Sequence, residues 1–276
     1  MSIPVDSCQN PAAPAIETRE LSCSFGKLVA VDRLDLSVPP GALFGLLGPN
    51  GAGKSTLIKM LITLLPPSSG SARVAGCDIR TQSVEVRRRI GYVPQLLSAD
   101  GALTGRENLE LFARLYGIPG TERAQRIDGV LSVMKLQDVA DNLVQRYSGG
   151  MIRRLEIGQS LLHDPRVLFL DEPTVGLDPL ARQAVWERLQ TLRDAHGITL
   201  FMTTHDMEEA DRLCETVAIM NHGRVVAMGR PDELKASVRE GASLGDVFAY
   251  YSGETLDQEG EYRGVRGTRR TASRLG

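Results

Sequence analysis

Gly48-Pro49-Asn50-Gly51-Ala52-Gly53-Lys54-Ser55 matches G-x-x-x-x-G-K-[ST] in full, between an apolar run over 42–47 and a helix-like pattern over 56–64. A strand–loop–helix context is what a phosphate-wrapping loop requires. Its glycines let the backbone curl so that several N–H groups converge, and the helix start adds partial positive charge. Lys54 would meet the β- and γ-phosphates of a nucleotide, and Ser55 offers a hydroxyl to Mg²⁺. Thr56 either caps the helix or touches the α-phosphate. Farther along, Val167-Leu-Phe-Leu-Asp171-Glu172 is an apolar strand ending in two acids. Asp171 there would orient Mg²⁺ through a water, and Glu172 would polarise the attacking water. The plainer reading of Glu172 is a solvated strand-end charge. The chemistry implied is binding of a nucleoside triphosphate and its hydrolysis.

Such groups need a scaffold. The chain has 276 residues, 42% hydrophobic and 24% charged, enough for one large domain or two small ones with a real core. Lys and Arg total 32 against 34 Asp and Glu, and the net charge of −2 argues against a nucleic-acid partner. No apolar run approaches the roughly 18–20 residues of a membrane span. The four cysteines, Cys8, Cys23, Cys77 and Cys214, form no C-x-x-C pair and read as reduced thiols. Residues 1–14 read as a disordered leader. From 15 to about 235, short apolar runs alternate with helical stretches, which predicts an α/β domain, bounded at 15–240, with a largely parallel sheet. The first strands have connections too short for crossover helices and are expected to be antiparallel. The stretch from Leu103 to His163 is almost all helix, so a helical subdomain over about 97–165 is expected as an insertion. Residues 241–276 read as a short helix and a basic tail, with Arg263, Arg266, Arg269, Arg270 and Arg274 and no acid after Glu261. That tail is either a solvated segment or a contact for anionic lipid or protein.

Further motifs select among nucleotide-binding families. There is no N-K-x-D for guanine. Tyr147-Ser148-Gly149-Gly150-Met151 lies about 20 residues before Asp171 at a helix start and resembles the L-S-G-G-Q signature of ABC ATPases. Gly91-Tyr-Val-Pro-Gln95 resembles their Q-loop, Gly176-Leu-Asp178-Pro179 their D-loop, and Thr203-Thr-His205-Asp206 their switch histidine. All occur in family order over roughly 15–235. The resemblance implies an α/β P-loop NTPase fold with a mainly parallel core sheet, an N-terminal antiparallel β part and the inserted helical subdomain. It implies ATP and Mg²⁺ as ligands. Gln95 would meet the metal and the water, and His205 would hold Glu172 and the γ-phosphate. Ser148, Gly149, Gly150 and Asp178 would act on the nucleotide of a second subunit, although Asp178 also reads as a plain helix cap. Phe25, 23 residues before Gly48, would stack on adenine or else belong to the core.

Tyr147 and Met151 depart from the family's Leu and Gln, and Met151 cannot make the polar contacts of a Gln. Together with Leu103-Thr-Gly-Arg-Glu-Asn-Leu109 and Ser243-Leu-Gly-Asp-Val-Phe248, that departure resembles the daunorubicin/doxorubicin-resistance type. Such subunits imply a dimer, integral-membrane ABC-type-2 permease partners, a peripheral place on the cytoplasmic membrane face, and drug export. The joint would be 94–101 and the docking block 102–146. A soluble role such as iron–sulfur cluster assembly is the alternative.

Overall fold

The computed structural model describes residues 13–252. The expected leader lies outside them apart from 13–14, as do all the tail arginines.

Two sheets share the chain. β1 (Ile16–Phe25) and β2 (Leu28–Val38) form an antiparallel hairpin around Gly26. β4 (Ser69–Val74) pairs antiparallel with the other edge of β1, and the two-residue β5 (Cys77–Asp78) follows it. The second sheet has the order β10-β9-β3-β8-β7-β6. β3 (Leu43–Leu47), β6 (Ile90–Val93), β7 (Val167–Asp171), β8 (Thr199–Thr204) and β9 (Thr216–Asn221) run parallel, and β10 (Arg224–Gly229) returns antiparallel at the edge.

β3 and β7 are buried along their whole length, as strands covered on both faces must be. Their side chains divide by the period of two. Phe44, Phe169 and Phe201 join the core shared with the antiparallel sheet and α1 (Lys54–Leu61), with Phe44 and Phe201 stacked at 5.3 Å. Leu43, Leu168, Leu170, Leu200 and Met202 face the opposite core.

That opposite core is built largely by helices. α2 (Ser83–Arg89) precedes β6. α3 (Gly105–Leu115), α4 (Gly120–Met134) and α5 (Gly149–Leu161) form the block between β6 and β7. α3 opens with a reciprocal capping box of Thr104 and Glu107. α6 (Pro179–His196) starts on Asp178 and Pro179 and stops at the left-handed Gly197. α7 (Met207–Leu213), α8 (Pro231–Val238) and α9 (Leu244–Ser252) complete the order, and α9 sends Leu244, Val247 and Phe248 into this core.

Register decides where chemistry can occur. Leu47 pairs with Thr204, Asp171 with Thr203 and Val93 with Leu170. The loops that follow these strands therefore leave the sheet side by side at its carboxyl edge, the usual place for a ligand in such sheets.

Candidate functional site

Gly48 and Gly53 hold the phosphate loop in a form other residues cannot take. Their φ angles are +155° and +107°. A Cβ would lie 2.2 Å from the Met220 carbonyl at Gly48 and 2.2 Å from the Ala30 carbonyl at Gly53. The loop is thus pressed between β9 and the antiparallel sheet, and the Gly223 N–H donates to Ala52 to fix it there. Lys54 is buried at the start of α1. Its Nζ donates to the carbonyls of Gly48 at 2.6 Å and Pro49 at 3.2 Å, and lies 3.5 Å from Glu172 Oε1. Burial pushes the ammonium below its ordinary range, against the pull of Glu172 and Asp171.

The two acids at the end of β7 have different partners. Asp171 Oδ1 accepts from Thr203 Oγ1 at 2.6 Å and from Ser55 Oγ at 3.3 Å. Glu172 Oε2 accepts from Gln95 Nε2 at 3.1 Å, and its Oε1 lies 3.3 Å from His205 Nδ1. Glu172 is not a solvated strand-end charge. It is buried at φ +49°, and its N–H reaches both the carbonyl and the hydroxyl of Thr203 at 3.1 Å. Burial pushes the Glu172 carboxyl up, but His205 and Lys54 outweigh it and hold the group below the ordinary value. The same contact raises His205, against burial.

A cleft of about 390 Å³ opens above the loop. One wall is Pro49, Asn50, Gly51, Gly53 to Thr56, Gln95 and Glu172; the other is Phe25, Leu28, Val29, Ala30, His222 and Gly223. Phe25 is 50% exposed at this mouth and is no core residue.

Ser148, Gly149, Gly150 and Asp178 do not line the cleft. Ser148 caps α5 by accepting from Met151 N, and Asp178 caps α6 by accepting from Leu180 N and Ala181 N. The two helix starts abut: a Cβ on Gly150 would sit 2.7 Å from that of Ala181. Tyr147 is explained by packing. It is buried, its hydroxyl donates to Val139 O at 2.7 Å, and the absence of a side chain at Gly105 makes room for it.

Thr203, whose hydroxyl meets both acids, lies in the Thr203-Thr-His205-Asp206 motif, but only strand register sets it beside Asp171. Sequence reasoning missed Leu28, Val29, His222 and Gly223, which only the fold brings to the cleft.

The sequence profile of the ABC transporter family matches residues 31–175. The daunorubicin/doxorubicin resistance ATP-binding protein DrrA of Streptomyces peucetius is 48% identical over 224 residues, which are 81% of this chain and 68% of that one. The Nod factor export ATP-binding protein I of Cupriavidus metallidurans is 44% identical over 219 residues, 79% and 72% of the two chains. A solved structure, that of an ATP-binding subunit of an ABC transporter, superposes with a TM-score of 0.76 at 30% identity, covering 86% of this chain and 99% of that one. With a glycine-bound phosphate loop, paired acids and a histidine gathered at one sheet edge, the chain belongs to the ABC transporter family and is one of its ATP-binding, ATP-hydrolysing subunits.

Proposed function

We propose that the chain energises export of a drug-like or hydrophobic compound through separate integral-membrane permease subunits of the ABC-2 type, from the cytoplasmic face of the membrane. The export functions in the relatives' names support this over a role in iron–sulfur assembly. Among the described residues no helix is long and apolar enough to cross a membrane. The exposed Leu96, Leu97, Leu111, Leu115 and Tyr116, on the joint, on α3 and at its C-terminal cap, supply apolar surface on which a permease helix could seat.

The site suits ATP with Mg²⁺. Gly48 and Gly53 press the loop against the Met220 and Ala30 carbonyls, which holds its curl open toward the cleft, and Lys54 lines that cleft. Ser55, Gln95 and Asp171 offer a hydroxyl, an amide and a carboxylate, the sparse oxygen set of an ion that keeps phosphate and water ligands. Mg²⁺ held there would neutralise charge building on the phosphates. Lys54 steadies the β- and γ-phosphates. Glu172 takes a proton from the water whose oxygen bonds to the γ-phosphorus, while the bond from that phosphorus to the bridging oxygen breaks and ADP leaves. Gln95 and His205 hold Glu172 in line. Ser148, Gly149 and Gly150, outside the cleft at a helix start, present N–H groups to the nucleotide of a second copy, with Asp178 beside them.

The carrying observation is Glu172 set among Gln95, Lys54 and His205. Glu172→Gln should lower ATP turnover by about 10²–10⁴-fold while ATP still binds and holds two copies together. Turnover at the wild-type rate in that variant, measured by phosphate release, would remove Glu172 from the mechanism.

A further inference from the structure

α5 does more than present Ser148. Five residues on, about 7.5 Å along the axis, Arg153 turns inward and is fully buried. Its Nη1 donates to the Pro94 carbonyl at 2.6 Å and its Nη2 to the Gln95 carbonyl at 2.6 Å. Nη1 also meets Glu156 Oε2 at 3.0 Å, one helical turn away. The other oxygen of Glu156 accepts from the Ser98 N–H, from Ser98 Oγ at 3.1 Å and from the Ala99 N–H at 3.3 Å. One ion pair thus grips the segment 94–99 at both ends, and Gln95 within it reaches Glu172.

Stability alone does not account for this pair. Both side chains are 2% exposed, and apolar residues of similar volume commonly serve a core as well or better than a buried ion pair. What the charges add is direction. A guanidinium fork fixes two carbonyls at once, and a carboxylate fixes two N–H groups.

We propose that Arg153 and Glu156 are positioning residues: they set Gln95 against Glu172 from the same helix whose first turn carries Ser148. The inference rests on the reading of Glu172 and Gln95 given above. The contact ties the start of α5 to the segment that carries Gln95.

A double-mutant cycle tests this on the full chain with ATP and Mg²⁺. Arg153→Lys keeps the charge and loses the fork. Arg153→Met combined with Glu156→Leu removes the pair without leaving a lone buried charge. Each should lower kcat by about tenfold or more, the scale of a misplaced catalytic group, with KM little changed. In a Gln95→Ala background, already slowed, neither should cause further loss. Equal losses in both backgrounds, wild-type kcat, or failure of the paired variant to fold would assign the pair to the core and overturn the proposal. Glu172→Gln, run alongside, separates the two readings. If it keeps turnover, the catalytic reading fails and the inference falls with it. If it loses turnover while the losses at Arg153 add to that of Gln95→Ala, the inference alone fails.

Discussion

Glu172 is held in the left-handed region by two bonds from its own N–H to Thr203, a conformation that costs a non-glycine residue about 1–3 kcal/mol. The strain places the carboxylate between Gln95, Lys54 and His205. Its contact with His205 also makes stability depend on pH. Glu172 lies below its ordinary 4.5, so its contribution is complete above that value and fades as acid carries the pH through the lowered value. His205 lies above its ordinary 6.5, so its contribution is complete below 6.5 and fades as the pH rises through the raised value. The pair should therefore stabilise the nucleotide-free chain most between pH 4.5 and 6.5. His205→Gln should flatten the thermal midpoint across neutral pH relative to wild type; parallel curves for the two proteins would discount the contact. Lys54, Asp171, Glu172 and His205 were legible because each lies in a short motif of fixed spacing. Thr203 lies inside such a motif too, yet its bond to Asp171 depends on strand register, which no spacing along the chain reveals.

At the scale of elements, the apolar run over 42–47 announces β3, whereas α2 and β5 carry no such signal. α2 buries only Val86, so it has no helical period to read, and β5 is two residues long. The start of β2 has no buried period to read, because Leu28 and Val29 are exposed beside the cleft. The packing of α3 on the turn before α5 was equally hidden. A Cβ at Gly105 would lie 2.3 Å from the Tyr147 hydroxyl. Gly→Ala in a helix normally gains about 0.5–1 kcal/mol, but here overpacking should make Gly105→Ala destabilising by about 1–3 kcal/mol. Tyr147→Phe alone loses the bond to Val139, at about 1 kcal/mol. Combined, the two changes should cost less than their sum in urea unfolding, and simple additivity would show that the hydroxyl is not the obstacle.

For the molecule as a whole, the central sheet joins two cores, one facing the antiparallel strands and one facing the helices. α9 belongs to the second through Leu244, Val247 and Phe248. Phe248 is fully buried, and Phe248→Ala should lower unfolding free energy by about 3–5 kcal/mol. A loss below 1 kcal/mol in denaturant titration would mean that α9 is only laid on the surface. The sheet also gathers Lys54 and its resting partners at one edge. Since the ammonium already has two carbonyls and a nearby carboxylate, nucleotide binding is an exchange of partners rather than a simple addition. The affinity of the site for ATP therefore measures a difference between two sets of lysine contacts, and the loop keeps its shape between turnovers because the chain supplies its own substitute for phosphate.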